Sequence, residues 1–253
     1  DASYNLRYGD FKARISGYYT RIYDQSKVIS YYDDVAATFT NFAMSGIDKV
    51  HFGLEAAVSI PIYHTLALNG AVSWGQYTYD SNPYYLQTQD NSGDIVSDGY
   101  VYWKDFRVES TPQTAVNVGL SWRSNNNIYL SADFNYYNNM YLSMSPIYRT
   151  DAVITGGMAP GDIEHLRRQE KFDSAYTLNA SIGKNWYIHR KYTLGFSLDV
   201  KNILNNQDIK TGGYEQTRLS KNTETTVTTY QAFDSKYFYM FGTTYYLNLY
   251  FRF

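Results

Sequence analysis

The stretch YTLGFSLDVK, Tyr192 to Lys201, puts Leu194, Phe196, Leu198 and Val200 at every second position, with Thr193, Gly195, Ser197, Asp199 and Lys201 between them. Successive side chains of a β-strand point to opposite faces, so this reads as a strand with one apolar and one polar face. The alternation recurs in both directions along the chain. Downstream, Tyr245, Leu247, Leu249, Phe251 and Phe253 alternate with Tyr246, Asn248, Tyr250 and Arg252. Upstream, the apolar sets are Tyr176, Leu178, Ala180 and Ile182; Ile128, Leu130, Ala132, Phe134 and Tyr136; and Val116, Val118, Leu120 and Trp122. Further back stand Leu66, Leu68, Gly70, Val72 and Trp74; Val50, Phe52, Leu54, Ala56 and Val58; and Phe11, Ala13, Ile15, Gly17 and Tyr19. A shorter segment around Tyr4, Leu6 and Tyr8 makes nine.

Alternation alone also describes a soluble sandwich. Length and connection order separate the two. The segments run to about 10–14 residues, the reach that a tilted strand needs to cross a bilayer, whereas soluble strands average about 5–6. Short turns fall at Gly9-Asp10, Pro61 to Tyr63, Ser124 to Asn126 and His189-Arg190. Long polar connections fall between them, at residues 25–47, 80–110, 141–171 and 205–236. Short alternating with long is the outer-membrane order of tight periplasmic turns and large extracellular loops. Trp74, Tyr77, Trp122, Tyr136, Trp186 and Tyr187 stand where aromatic girdles would meet the two interfaces. The expected fold is therefore all-β, an antiparallel transmembrane β-barrel.

Composition agrees. The 253 residues carry 22 Lys and Arg against 24 Asp and Glu, a net charge of −2, which leaves no basic field for nucleic acid. With 29 Tyr, 13 Phe and 4 Trp the chain has too much ring surface for disorder, and with no Cys it has no disulfides or thiolate sites. A mean hydropathy of −0.46 and the lack of any run near 18 apolar residues exclude a membrane-spanning helix, but both suit strands apolar on one face only. The opening DASYNLRYGD has neither the basic start nor the apolar run of a signal peptide. Single-chain bacterial barrels use even strand counts, so nine strands read as the C-terminal part of a larger barrel.

Three stretches resemble one family: DVKNILNNQDI, Asp199 to Ile209; GYYTRIYDQ, Gly17 to Gln25, with SGIDKVHFGLEAAV, Ser45 to Val58; and YFYMFGTTYYLNLYFRF, Tyr237 to Phe253. They are similar to the C-terminal barrel half of TonB-dependent outer-membrane transporters, especially the large Bacteroidetes-type versions. The resemblance implies a 22-stranded barrel filled by an N-terminal plug, of which residues 1–253 supply the last nine strands. It implies TonB-driven import of a large ligand across the outer membrane of a Gram-negative bacterium. The partners implied are outer-membrane lipid, the missing plug and upstream strands, the TonB complex acting through the plug, and a surface lipoprotein. It further implies that Tyr245, Leu247, Leu249, Phe251 and Phe253 form the signal read by the barrel-assembly machinery. The chain lacks the Pro-Arg pairing before the last strand that marks glycan importers of the family, which points away from a glycan.

Catalytic and metal chemistry find no foothold. His51, His64, His165 and His189 have no i,i+4 partners. DNSGDIVSD, Asp90 to Asp98, fails as an EF-hand because Ile95 stands where the turn needs Gly and Val101 where the bidentate Glu belongs. No cofactor is expected. Loops held by a rigid scaffold carry specificity, so ligand contacts are expected from Tyr84, Tyr85, Tyr100, Tyr102 and Trp103, and from Arg149, Arg167 and Arg168 beside GGMAPGD. The competing reading is that these rings pack the loops against one another. At the level of the whole protein, a passive porin or adhesin barrel would use the same strand pattern, and a soluble carbohydrate-binding β-protein would be soluble without detergent.

Overall fold

The computed structural model describes residues 1–34, 36–109, 111–156, 160–189, 191–222 and 229–253. Nine antiparallel strands lie side by side in an open sheet: β1 (Ala2–Tyr8), β2 (Phe11–Asp33), β3 (Thr38–Tyr63), β4 (Leu66–Tyr79), then, past the β5 (Tyr84–Gln89) and β6 (Ile95–Tyr100) hairpin, β7 (Thr114–Arg123), β8 (Ile128–Asn138), β9 (Ala175–Ile188), β10 (Tyr192–Lys201) and, last, a strand at Thr244–Arg252. Each strand pairs with the next in this series, as short hairpin connections favour. Between β10 and that last strand come β11 (Lys210–Tyr214), β12 (Leu219–Asn222), β13 (Thr229–Ala232) and β14 (Lys236–Tyr239), so Thr244–Arg252 is β15. β11 pairs with β14 and β12 with β13, outside the main sheet. Among the described residues β1 and β15 do not pair with each other, and the sheet has two free edges.

Register segregates the two faces across all nine strands. Directly opposed residues share a face, and the chain of pairs Ile15–Ala56–Val72–Val116–Tyr136–Tyr176 runs unbroken from β2 to β9. The parallel row Leu66–Trp122–Leu130–Ile182–Leu198–Leu247 reaches β15. The opposite face carries Ser121–Ser131–Ser181–Asp199 and Asn117–Asn135–Thr177. There Ser131 and Ser181 share a 2.8 Å hydrogen bond, and Asn117 donates to Asn135 at 2.8 Å. On the apolar face Ile15, Leu54, Val72, Val118, Leu130, Ile182 and Leu194 remain 39–54% exposed. Of the six aromatics assigned to girdles, Trp74, Trp122, Tyr136 and Trp186 stand on this face. Tyr77, opposite His51, and Tyr187, opposite Thr193, stand on the polar one, because their positions have the other parity.

On the polar face tyrosines lie across glycines of the neighbouring strand: Tyr18 over Gly53, Tyr129 over Gly183 and Tyr250 over Gly195, each a register pair. The rings occupy the space where a Cβ would stand, so glycine is required by close approach and the ring shields the exposed backbone.

The expected loop at 25–47 is instead strand. β2 and β3 continue for 23 and 26 residues and form a hairpin that outreaches the rest of the sheet. One extra residue in β2 between Ile22 and Gln25 and one in β3 between Gln25 and Lys27 of its partner make two bulges, with Asp24 at φ 52° and Gly46 at φ 73°. Each bulge inverts the alternation of its strand, which is why period-2 reading stopped there. Below the bulges odd residues of β2 such as Tyr19 face the apolar side; above them Ile29 and Tyr31 turn to the other side. Similarly, β3 runs on through Pro61 to Tyr63, with a register shift at the proline and the turn at His64-Thr65. The turn at Gly9-Asp10 stands as expected, the one expected at Ser124 to Asn126 extends one residue further to Asn127, and Arg190 lies outside the described residues.

Candidate functional site

All four long connections gather at one end of the sheet, the end opposite the short turns. β5 pairs with the upper half of β3, so the second connection is a β-hairpin added to the long one. The third folds into a 3₁₀ turn at Ile147–Arg149 and two short helices, α1 (Asp151–Ile154) and α2 (Pro160–Arg167). Thr150 caps α1, its hydroxyl accepting from the Val153 amide at 3.3 Å. The fourth supplies β11 to β14. Tyr31, Phe42, Met44, Tyr79, Tyr85, Val101, Trp103, Ile147, Tyr148, Leu166 and Leu219 bury one another into the largest apolar core among the described residues. Tyr79 shares the face of Tyr77 and His51, so this core stands over the polar side of the sheet.

The ligand-contact residues expected from sequence divide accordingly. Tyr85 and Trp103 are 1% exposed: Tyr85 stacks on Phe42 at 4.6 Å and Trp103 packs on Tyr79 at 4.7 Å. Their surface is spent inside the loop core, as the packing reading had it, because each ring buried there contributes about 1.5–3 kcal/mol. Tyr84 and Tyr100 oppose each other across β5 and β6, edge to face at 5.7 Å, and Tyr84 donates to Asp98 at 2.6 Å. Successive residues alternate sides, so Tyr84 points away from the core that holds Tyr85. Tyr102 lies under the exposed Arg167 guanidinium at 5.8 Å. Arg149 is fully buried. It forks onto Glu215, Nη2 to Oε1 at 2.9 Å and Nη1 to Oε2 at 2.5 Å, and donates to the carbonyls of Ser145 and Arg168. It is a brace between two loops and presents nothing to solvent. Residues 157–159 of the GGMAPGD motif lie outside the described residues.

Arg168 alone of the eight lines the main loop-end cleft, a space of about 540 Å³ between the third and fourth connections. Tyr148, His165, Arg168, Gln169, Glu170 and Lys171 form one wall; Glu215, Phe233, Asp234 and Tyr237 form the other. The walls are held by built contacts. Gln169 makes two hydrogen bonds with the backbone of Arg107, at 2.9 and 2.8 Å. Glu170 accepts from Lys210 at 3.0 Å and from the Tyr237 hydroxyl at 2.7 Å, and the Lys210 ammonium sits 3.8 Å from the centre of the Tyr237 ring. Burial works against the charge on Lys210, but the bond and charge of Glu170 outweigh it and hold its pKa above the ordinary value. Burial and then the Glu215 charge push the Tyr148 hydroxyl up to about 12, so it stays protonated and donates to the Arg218 carbonyl at 3.0 Å. Arg218 in turn forks onto Asp34 at the tip of the long hairpin, at 2.9 and 2.8 Å. None of Tyr148, Glu170, Lys171, Glu215 or Tyr237 stood out in sequence. Arg149 and Glu215 are 66 residues apart, and no local pattern links them.

The residues expected as an assembly signal form the free edge. Tyr245, Leu247, Leu249 and Phe251 oppose Val200, Leu198, Phe196 and Leu194 on the apolar face, and Phe253 follows the strand with its ring 6.3 Å from that of Phe251. Among the described residues no three His, Asp or Glu side chains are grouped to hold a metal ion; Asp90 accepts from Asn41 and Asp94 from Ser92. Compared with known proteins, the chain matches no family model, no curated protein and no solved structure.

Proposed function

We propose that this chain is part of the wall and ligand-receiving mouth of an outer-membrane barrel that imports a large ligand by coupling to TonB. The observation that carries the membrane reading is the segregation of faces by register: two apolar rows that together run from β2 to β15, and rows of Ser, Asn and Asp on the opposite face of β7 to β10. A sheet apolar on one side and hydrated on the other suits lipid outside and an aqueous lumen inside. From Tyr176 to Trp186 on the apolar face of β9 is ten residues, about 34 Å of strand at about 3.4 Å per residue; a tilt near 40° makes that about 26 Å, the height of an outer-membrane apolar band. The two free edges call for neighbouring strands, since unpaired backbone in hydrocarbon costs several kcal/mol per group. The short turns then lie in the periplasm and the loop core outside the cell, over the lumen.

The import half of the proposal is supported by the resemblance of residues 199–209, 17–25 with 45–58, and 237–253 to TonB-dependent transporters. Its test is uptake in cells. Collapse of the proton-motive force should abolish ligand uptake by the natural full-length protein while surface binding persists. Uptake that continues at the same rate without the force would make the barrel a passive channel.

A further inference from the structure

We infer that the loop-end cleft between the third and fourth connections binds an oxyanion, a carboxylate or phosphate group, with Arg168 and Lys171 as its receivers. The inference deepens the proposed function, taking from it only that a ligand arrives at the loop end. Six ionisable groups besides tyrosine line the cleft: His165, Arg168, Glu170, Lys171, Glu215 and Asp234. The acids Glu170 and Glu215 are already committed. Lys210 and Tyr237 hold the first, and the buried Arg149 fork holds the second. Arg168 and Lys171, both exposed, have no side-chain hydrogen bond or ion pair among the described residues, and of the acids only Asp234 is left uncommitted against them. The free charge of the cleft is therefore positive.

The backbone beneath the two cations is fixed. The Arg168 carbonyl accepts from Arg149 at 3.3 Å, the Gln169 side chain is pinned to Arg107, and the Glu170 carbonyl accepts from the Leu142 amide at 3.0 Å. A cation on a fixed stem loses less freedom on binding than one on a loose loop. Arg168 offers a planar fork that matches two oxygens of one anion, and Lys171 a compact ammonium on the same wall of the cleft. Tyr148, Phe233 and Tyr237 add ring surface for the body of the ligand.

The test is isothermal titration of the natural full-length protein in detergent with citrate, inorganic phosphate and, as a cationic control, putrescine. The expected result is binding of the anions and not of putrescine, weakened by salt and lowered by about tenfold or more in Arg168→Gln/Lys171→Gln, since each lost charge-assisted bond is worth about a factor of ten. Asp234→Asn should tighten binding severalfold. Tighter citrate would identify a carboxylate ligand and tighter phosphate a phosphorylated one. Both side chains are exposed, so folding of the double variant is not at risk, and unchanged circular dichroism checks it. No binding of either anion at millimolar concentration, equal binding by the double variant, or preference for putrescine would each overturn the inference. The titration needs neither lipid nor TonB, so intact anion binding with uptake that ignores the proton-motive force would remove the import reading alone.

Discussion

Replacing Arg149 by methionine should open the loop core while leaving the nine-strand sheet folded. The guanidinium is fully buried and makes two bonds to Glu215, whose side chain is 12% exposed, and one each to the Ser145 and Arg168 carbonyls. Methionine keeps much of the stem and none of the donors. Glu215 is left as a nearly buried charge without its counter-ion, and breaking a buried pair from one side costs about 3–5 kcal/mol. Arg149→Lys keeps the charge but not the fork, so its cost should be smaller yet measurable. Arg149→Met/Glu215→Leu removes both charges and should recover about 2 kcal/mol or more relative to Arg149→Met, less the Ser145 amide bond to Glu215 at 2.8 Å that it also loses. The assay is native-state hydrogen exchange at the amides of Tyr102, Leu142 and Ser145, which are bonded to Arg149, Glu170 and Glu215. Protection should fall by about two to three and a half orders of magnitude in Arg149→Met, at about 1.4 kcal/mol per factor of ten, with amides of β9 and β10 unchanged. A change below about 1 kcal/mol, or a double variant no better than the single, would refute the brace.

Arg at Leu198, near the middle of β10 on the apolar face, should cost about 2–4 kcal/mol in a folding titration into lipid, and Arg at the adjacent Ser197 should be mild; equal costs would contradict the face assignment. Gly183→Val would drive its Cβ into the Tyr129 ring and to 2.7 Å from the Phe196 carbonyl, so it should lower urea stability by about 1–3 kcal/mol, and Gly183→Val/Tyr129→Ala should recover part of that. The Asp34 carboxyl is held below its ordinary 3.8 chiefly by the hydrogen bond from Arg218. A depressed acid stabilises above its unfolded pKa and loses that contribution as pH falls through the folded one, so a label pair between Asp34's hairpin tip and β12 should hold one distance at neutral pH and broaden only in strong acid. Arg218 is exposed and Asp34 partly so, and the effect should be small and salt-sensitive.

The nine-strand sheet was legible in the sequence and the loop core was not, for a physical reason that particular residues display. In β10 every second residue meets the same environment over the whole strand, so Leu194 to Val200 declare their face without help from any other segment. In β2 the bulge at Asp24 breaks that rule, and Ile29 and Tyr31 then face the loop core with inverted parity, which made strand look like loop. Trp103 and Arg149 show the remaining difficulty. Ring and guanidinium suit a binding surface and a packed interior equally well, and what decides between them is Tyr79 and Glu215, each far off in sequence. The cleft was hidden for the same reason, its two walls belonging to connections separated by β9 and β10.

The apolar face of the nine-strand sheet should meet lipid and the polar face water. Nitroxide labels placed one at a time from Thr193 to Lys201 and from Thr244 to Arg252, in the natural full-length protein reconstituted into bilayers, test it by their relative accessibility to oxygen and to a water-soluble nickel chelate. The expected result is a period of two, with Leu194, Phe196, Leu198, Val200, Tyr245, Leu247, Leu249 and Phe251 oxygen-accessible and their neighbours chelate-accessible. Labels on both faces that favour the chelate equally would contradict it.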